Sequence, residues 1–299
     1  MNKLKIGYFA DGPWSHRAFS KIIEDDTLDV RFIIPRIDTK DRTLSDFAKK
    51  YTIDYFSHKN INSTEFFQKV TNYECDIFVS LSFNQIFKTA LINLPKFKTI
   101  NVHAGKLPFY RGRNILNWAL INDEKDFGIT LHYVDEGIDT GDIILQHIFP
   151  ITDADDYSTL LNRAYDGCAE ILYKGLKHIQ LNQGVIQTVK QNDIHPMGFY
   201  CGGRKEGDEI INWNQTSRDI FNFVRAVCKP GPQAITKLNS NPVKINKSRM
   251  VENAIPYKNI PGQVVGKTDH GILVKTLDTV IEITEFESSE KLRIGDRFL

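Results

Sequence analysis

Hydrophobic and polar positions follow two different periods along the first two thirds of the chain. Short apolar runs typical of buried strands occur at 5–10, 30–34, 76–81, 99–103, 129–134 and 143–149. Stretches with the apolar spacing of amphipathic helices lie between or after them at 16–23, 44–51, 65–72, 114–121 and 159–179. Strands separated by helices predict an α/β fold with a doubly wound, mostly parallel sheet. Such a sheet has its functional site outside the carboxyl ends of its strands.

The pattern changes near residue 200. A glycine-rich connector at 199–204 is followed by one helical stretch at 216–227. Short β-type runs then occur at 234–238, 243–246, 262–266, 271–276 and 280–286. Several short strands with turn signals between them predict a small β-barrel of the OB-like type. We therefore expect a catalytic domain over residues 1–200 and a C-terminal barrel domain over residues 201–299.

Composition and charge narrow the function classes. The chain has 299 residues, 41% of them hydrophobic, and its 38 basic and 37 acidic residues give a net charge of +1. No chain-wide basic field attracts nucleic acid. The first residues are not typical of a signal peptide, and no apolar run approaches the roughly 20 residues of a membrane span. The four cysteines are far apart, so we expect a cytoplasmic protein with reduced thiols, no metal and no membrane partner.

Polar side chains occur at the end of the predicted fourth strand and in a later loop. Asn101 and His103 are two residues apart, so on a strand they point to the same face at its carboxyl end. Asp139 follows in the glycine-punctuated loop 137–142. An amide and an imidazolium can donate to a developing oxyanion, and a carboxylate favours the charged imidazole and assists proton removal from an amine. This combination suits acyl transfer to an amine.

The residues alone leave two interpretations of this trio open. Asn and His at a strand end also commonly cap loops, and that role needs no chemistry. If the trio is catalytic, direct transfer is favoured over a covalent intermediate, because no Ser or Cys lies in the setting of an activated nucleophile.

The segments that carry the trio resemble one known family, the formyltetrahydrofolate-dependent formyltransferases. Asn-x-His at 101–103, Leu-Pro-x-Tyr-Arg-Gly at 107–112 and Ile-Asp-Thr-Gly at 138–141 are similar to its motifs. The pieces 211–213, 224–227 and 242–245 resemble its C-terminal domain, so the resemblance covers most of the chain. It implies that Asn101, His103 and Asp139 are catalytic and that N10-formyltetrahydrofolate is the formyl donor.

Family members bind this cofactor along the segment after the third strand and along the loop with the Asp. Carried over to this chain, the resemblance implies contacts from Phe83, Asn84, Gln85, Ile86, Phe87, Asp135, Glu136, Gly137 and Ile138. A flat pterin needs apolar contacts on its faces and polar groups at its edge. Phe83 and Phe87, four residues apart, are equally well explained as core residues.

Departures from the tRNA-directed members of the family indicate another acceptor. The segment 35–42 is short and charge-balanced where those enzymes carry a basic insertion, and phosphate contacts dominate tRNA binding. The run 111–118 resembles the enzymes that formylate amino groups of nucleotide-linked sugars. The resemblance therefore implies a nucleotide-sugar partner, no nucleic acid, and a step in surface-polysaccharide precursor synthesis, such as that of lipopolysaccharide O-antigen. Sugar-modifying members are often homodimers, so we expect a dimer.

The candidates for substrate contact are Asp11, Trp14, Ser15, Lys106, Tyr110 and Arg113. Trp14 either stacks on the sugar or base or fills the core, and Lys106 either meets a diphosphate or lies in an exposed loop. His132 and His147 are interpreted as core or surface histidines without a catalytic role. Two other functions stay open, namely methionyl-tRNA formylation and folate binding without turnover.

Overall fold

The protein divides into two compact units, and its computed structural model describes residues 3–299. Residues 1 and 2 of the expected catalytic domain lie outside the described residues. The sequence predicts one boundary near residue 200, and the chain does pass from the first unit to the second between Cys201 and Gly202. Two earlier segments also belong to the second unit. The first unit holds the chain up to Gly112, Phe127–Phe149 and Asn162–Cys201, and the second holds Arg113–Asp126, Pro150–Leu161 and Gly202–Leu299.

The elements up to residue 201 alternate as the hydrophobic pattern predicts. The strands are β1 (Leu4–Ala10), β2 (Leu28–Ile34), β3 (Asp54–Tyr55), β4 (Ile77–Leu81), β5 (Thr99–His103), β6 (Arg111–Gly112), β7 (Asp126–Tyr133), β8 (Ile143–Pro150) and β9 (Tyr200–Cys201). The helices are α1 (Pro13–Ile23), α2 (Thr43–Tyr51), α3 (Thr64–Thr71), α4 (Thr89–Ile92), α5 (Ile115–Ile121), α6 (Tyr157–Leu181) and α7 (Gln191–Ile194). Each strand and helix predicted in this region is present, with its ends shifted by a few residues.

The large sheet is mostly parallel, as predicted. Its strand order is β3-β2-β1-β4-β5-β7-β8. β1 pairs in parallel with β2 and β4, and β5 pairs in parallel with β4. β7 runs antiparallel to β5, so the sheet is mixed on that side. The carboxyl ends of β1, β2, β4 and β5 therefore share one edge, and the loops after them are available for a site.

The core of the first unit beside this edge is rich in phenylalanine. The ring of Phe9 on β1 lies 5.7 Å from Phe32, 5.2 Å from Phe78 and 4.9 Å from Phe87, all edge to face. Gly7 lies where the first two of these rings approach the strand, and a Cβ there would come within 2.6 Å of both rings. Glycine is therefore required for this packing.

The second unit contains a separate antiparallel sheet. The elements of this region are α8 (Ser217–Val227), β10 (Ala234–Leu238), β11 (Asn241–Met250), β12 (Val264–Lys267), β13 (Ile272–Lys275) and β14 (Val280–Ser288). The strand order is β10-β11-β14-β13-β12, which is consistent with the small barrel that the sequence predicts. Thr216 caps α8, because its side chain accepts from the N–H of Asp219 and the Asp219 side chain accepts from the N–H of Thr216.

Two cations are buried in the second unit, and backbone carbonyls accept their hydrogen bonds. Arg225 on α8 donates to the carbonyl of Thr152 over 2.7 Å, and its guanidinium lies 3.6 Å from the carboxylate of Asp123. Lys275 on β13 has no exposed surface. Its ammonium donates to the carbonyls of Thr276, Asp278 and Thr279 over 2.8, 3.1 and 3.2 Å. Both cations thus satisfy backbone acceptors in the interior.

Candidate active site

The site is built on two neighbouring strands of the large sheet. In the antiparallel pair of β5 and β7, Asn101 faces His132 and His103 faces Thr130. Cross-strand partners lie on the same side of a sheet, and residues two apart on one strand also share a side. Asn101, His103 and His132 therefore project from one face. The register of the two strands decides which polar groups meet there.

Asp139 reaches this face from the loop between β7 and β8. Its backbone has φ 55°, in the left-handed region that residues with side chains rarely adopt. Its Oδ2 lies 3.4 Å from Nδ1 of His103, and its Oδ1 lies 3.6 Å from Nε2 of His132. The N–H of Gly112 donates to Oδ2 over 3.0 Å. The structure thus brings the carboxylate of Asp139 to the imidazole of His103.

Asn101 joins the same group of side chains through His132. The amide nitrogen of Asn101 lies 3.1 Å from Nε2 of His132, and Nδ1 of that ring lies 2.8 Å from the carbonyl of Tyr133. A carbonyl can only accept, so Nδ1 carries the hydrogen and Nε2 accepts from Asn101. The amide of Asn101 has a second N–H besides this one. All three residues predicted to be catalytic therefore converge, with His132 between two of them.

Burial and the neighbouring Asp139 act on His103 in opposite directions. The ring is only 7% exposed, and its Nε2 lies 2.6 Å from the carbonyl of Tyr110, so Nε2 carries the hydrogen. Burial lowers the pKa of His103 below its ordinary value, although Asp139 and the Tyr110 carbonyl act in the opposite direction. Asp139 thus favours the charged imidazole, as expected, and desolvation acts against it. A proton taken up at Nδ1 would lie against Asp139.

Asp139 is held as a carboxylate. Burial alone would raise its pKa, but the positive charge of His103 when it is protonated, together with the N–H of Gly112, lowers the pKa well below its usual range. A buried anion beside two imidazoles is an arrangement through which protons can be exchanged near neutral pH. The site therefore combines an amide donor on Asn101 with an imidazole and a carboxylate that face each other.

His132 is the residue that the sequence interpretation missed. It is buried, as the core interpretation expected, but its ring contacts two residues of the predicted trio. The signal was present in the sequence, since Thr130 and His132 are polar positions on one face of an otherwise apolar strand. Assigning them to the site requires the pairing of β7 with β5, which the hydrophobic pattern does not provide.

Gly105 permits the close approach of His103 to the loop that follows it. A Cβ on Gly105 would lie 2.5 Å from Nε2 of His103 and 2.5 Å from the carbonyl of Tyr110. No side chain fits there without moving the ring or the backbone. Glycine at this position therefore belongs to the geometry of the site.

The residues predicted to bind the cofactor divide into buried and exposed groups. Phe87 lies in the phenylalanine core and Phe83 packs against it, as the core interpretation of this pair expected. The side chain of Gln85 bonds to the backbone of His58 and Ile61. The exposed apolar side chains of this set are Ile86, 57% exposed, and Ile138, 52% exposed.

The polar members of the same prediction have partners within the first unit. Asp135 accepts from the N–H of Gly137 over 3.1 Å, so it shapes its own loop. Glu136 bonds to the hydroxyl of Thr89, and Asn84 donates to Asp38 over 3.4 Å. Their contact with a cofactor stays a prediction.

The candidates for substrate contact lie in several environments. Ser15 is fully buried, and its hydroxyl donates to the carbonyl of Gly12 over 2.7 Å, so it supports the turn before α1. The ring of Trp14 packs edge to face on Tyr165 with 4.7 Å between centroids. Tyr110 is buried and contributes its backbone carbonyl to His103. The exposure of the remaining three candidates differs: Asp11 and Lys106 are half-buried and Arg113 is exposed.

Comparison with protein-family models decides the class. The model "Formyl transferase" matches residues 9–176, and the model "Formyl transferase, C-terminal domain" matches residues 204–297. The chain belongs to the formyl transferase family. It is therefore an enzyme of formyl transfer, and the resemblance seen in the motifs around Asn101 and Asp139 is confirmed. The two matched regions together span both compact units.

Relatives of this formyl transferase by sequence and by structure have different acceptors. Methionyl-tRNA formyltransferase from Halalkalibacterium halodurans is 33% identical over 83% of this chain and 76% of its own length. The same enzyme from Staphylococcus aureus is 32% identical over 83% and 78%. An N-formyltransferase from Helicobacter canadensis, solved with folinic acid and dTDP-3-aminofucose, is 26% identical over 96% and 100%, with a TM-score of 0.69. WlaRD, a sugar 3N-formyl transferase, matches the fold with a TM-score of 0.70 at 24% identity over 98% and 100%.

The part of the chain that the structure describes contains neither a group of metal ligands nor a membrane-spanning helix. Within residues 3–299, no three His, Cys, Asp or Glu side chains are grouped as metal ligands. No helix among these residues is both long and apolar enough to cross a bilayer.

Proposed function

We propose that this formyl transferase moves the formyl group of N10-formyltetrahydrofolate to the amine of a nucleotide-linked amino sugar. The observation that supports the transfer chemistry is the convergence of Asn101, His103 and Asp139 on one face. The Helicobacter canadensis enzyme, solved with folinic acid and an amino-sugar nucleotide, supports both the cofactor and the acceptor class. Synthesis of surface-polysaccharide precursors is the corresponding physiological role, and a cytoplasmic homodimer is its expected form.

The chemistry starts from a neutral amine, which attacks the formyl carbon. As the C–N bond forms, the formyl oxygen becomes an oxyanion that the second N–H of Asn101 would stabilise. The Nε2–H of His103 joins it as a second donor when it leaves the carbonyl of Tyr110, which accepts it over 2.6 Å. The amine loses its proton to the pair of Asp139 and Nδ1 of His103, whose atoms lie 3.4 Å apart. Collapse of the intermediate breaks the bond to N10 of the cofactor, and N10 takes a proton as tetrahydrofolate leaves.

The C-terminal sheet supports a small acceptor over tRNA. The basic residues on the exposed side of β11 lie opposite acidic residues of β14, so each cation has a carboxylate beside it. A nucleic-acid backbone placed on this sheet would meet carboxylates together with cations, which offsets the gain from phosphate contacts. The facing pairs are Lys244 with Glu287, Lys247 with Glu285 and Arg249 with Glu282.

Methionyl-tRNA formylation is the second candidate, and the names of the sequence relatives at 30–33% identity favour it. The two candidates differ in what they require of the surface. A tRNA acceptor requires a phosphate-binding face, whereas a sugar nucleotide requires only a pocket beside the trio.

Mass spectrometry of acceptors incubated with N10-formyltetrahydrofolate tests the proposal. The panel contains thymidine-, uridine- and guanosine-diphosphate amino sugars together with charged initiator methionyl-tRNA. We expect one sugar nucleotide to gain one formyl mass and the tRNA to stay unchanged. His103→Ala serves as the inactive control, and it separates enzymatic transfer from spontaneous formylation.

Formylation of the tRNA alone would overturn the sugar proposal and leave the trio as its chemistry. Binding of the tRNA at physiological salt, measured by gel shift, adds an independent result. The paired charges on β11 and β14 predict weak binding that Glu285→Lys with Glu287→Lys strengthens.

A further inference from the structure

The segment 189–201 is hydrogen-bonded to both loops beside the candidate active site. One is the loop after β5 that leads to Arg111, and the other is the loop between β7 and β8 that carries Asp139. Near its start, Val189 forms an antiparallel bridge with Ile143 at the beginning of β8. At its end, β9 pairs in parallel with β6, and the N–H of Arg111 donates to the carbonyl of Phe199 over 3.1 Å. Gln191, the first residue of α7, lies between these two anchors and is only 3% exposed.

The side-chain amide of Gln191 makes all four of its hydrogen bonds to residues of those two loops. Its Nε2 donates to the carbonyls of Asp139 and Gly141, each over 2.8 Å. Its Oε1 accepts from Nε and Nη2 of Arg111 over 3.1 and 2.6 Å. An amide has two donor hydrogens and two acceptor lone pairs, so all four are used. Among uncharged side chains, only an amide can donate to two carbonyls and accept twice from a guanidinium.

These bonds form a closed circuit around the carboxylate of Asp139. Gln191 holds the carbonyl of Asp139 and also the guanidinium of Arg111. The residue after Arg111 is Gly112, whose N–H holds the carboxylate of Asp139 over 3.0 Å. The main chain and the side chain of one residue are thus fixed from the same buried amide.

The backbone conformation of Asp139 requires contacts that hold it in place. Its left-handed backbone, with φ 55°, is disfavoured for a residue with a Cβ, and such conformations persist where the surroundings impose them. The hydrogen bond from Gln191 to its carbonyl is one of the contacts that can impose it. A change of this backbone would swing the carboxylate away from His103.

We propose that Gln191 is a positioning residue that keeps the carboxylate of Asp139 against His103 and His132. It acts through Asp139 and does not touch the reacting atoms. The inference rests on the proposed role of Asp139 in formyl transfer. A buried Gln that only filled space would be replaceable by an apolar side chain of the same length, and the four polar contacts predict that it is not.

Two variants separate positioning from packing. Gln191→Met keeps the length of the side chain and removes all four hydrogen bonds. Gln191→Glu keeps the acceptors for Arg111 and removes the donors to Asp139 and Gly141. We expect kcat to fall about a hundredfold in both variants with KM for the formyl donor unchanged, because misplacement of a catalytic group by about 1 Å has that effect. Asn192→Ala, an exposed neighbour in the same helix turn, is the matched control and stays at the wild-type rate.

Titration of the His103 ring by NMR gives a readout that needs neither acceptor nor cofactor. Asp139 raises the pKa of His103 against the effect of burial. When the carboxylate moves away in Gln191→Met or Gln191→Glu, the pKa of His103 falls further below that of the wild type. A merely structural role would leave this titration unchanged.

Wild-type kcat in Gln191→Glu would overturn the inference, since pairing with Arg111 would then be sufficient. A lower kcat with an unchanged His103 titration would overturn it as well. Failure of the proposed function is a different result: Asp139→Asn would keep its activity, while the titration of His103 in the Gln191 variants would still report whether the carboxylate is held. The rates are measured with whichever acceptor the panel shows to be formylated.

Discussion

The buried charged groups of the two units differ in their partners. In the first unit, the anionic Asp139 faces the imidazoles of His103 and His132, and burial lowers the pKa of His103. In the second unit, the buried cations Arg225 and Lys275 donate to backbone carbonyls. The first arrangement places imidazoles beside a carboxylate. The second bonds its cations to backbone carbonyls, with the carboxylate of Asp123 3.6 Å from Arg225.

These partners determine whether the buried groups of each unit can exchange protons. A carbonyl cannot take the proton of an ammonium or a guanidinium, so the second arrangement stabilises the fold and moves no proton. An imidazole beside a carboxylate can gain and lose a proton with small changes of environment. Burial of polar groups is therefore not by itself a sign of catalysis, and the acid–base pairing of the buried groups is.

Substitutions in the trio have the largest expected effect and leave the second unit untouched. Asn101→Ala and His103→Ala each lower the rate of formyl transfer about a hundredfold or more, the usual cost of losing one oxyanion donor. Asp139→Asn removes the anion that His103 and His132 face, and it lowers the rate to a similar degree. The rates are measured by mass spectrometry of the formylated acceptor, and the fold by circular dichroism.

His147→Ala is the matched control for this series, because His147 is a half-buried histidine on β8 in the same sheet. Its rate should equal that of the wild type. A wild-type rate in Asn101→Ala or His103→Ala would remove that residue from the mechanism and return it to a loop-capping role.

Much of the fold can be predicted from the hydrophobic pattern, because a long segment has enough positions to show a helical or strand period. The 25-residue helix α6 is such a segment, with apolar positions repeated over several turns. Elements of two to four residues, such as β6, α7 and β9, contain too few positions to show a period. These short elements are the ones that hold Arg111 and Gln191.

The site could be predicted only as far as local sequence carries it. Asn101, His103 and Asp139 were found by their position at strand ends and by their resemblance to known motifs. His132 and Gln191 contact the same site through pairing of β7 with β5 and through a chain return some 50 residues later. Contacts of this kind depend on the tertiary register of strands and loops, which one sequence does not provide.

Removal of the buried ammonium of the second unit has an intermediate expected effect, on stability and not on rate. Lys275→Met removes the donor that the carbonyls of Thr276, Asp278 and Thr279 share. Those of Asp278 and Thr279 still accept from backbone N–H groups, and that of Thr276 loses its donor. A buried acceptor left unsatisfied costs about 1–3 kcal/mol, so the midpoint of urea unfolding moves to lower concentration. The rate of formyl transfer at low temperature should stay within about twofold of the wild type, a difference of less than 0.5 kcal/mol. Lys258→Met removes a lysine at an exposed position and serves as the control. A loss of rate in Lys275→Met without a loss of stability would contradict the view that this buried cation serves the fold and not the reaction.

The smallest expected effect is on the pH dependence of stability, and it tests the charge of His103 directly. Since burial lowers the pKa of this ring, the unfolded chain binds more protons than the folded protein just below pH 6.5, so the stability falls as the pH falls through that value. Each unit of lowering contributes about 1.4 kcal/mol. Urea unfolding at pH 7.5 and 5.5 should therefore show a smaller loss for His103→Gln than for the wild type, with His178→Gln, an exposed histidine near the end of α6, as the control. A larger loss in His103→Gln would mean that the folded protein binds this proton more tightly than the unfolded chain. Asp139 would then outweigh burial, and an imidazolium would face the formyl oxygen.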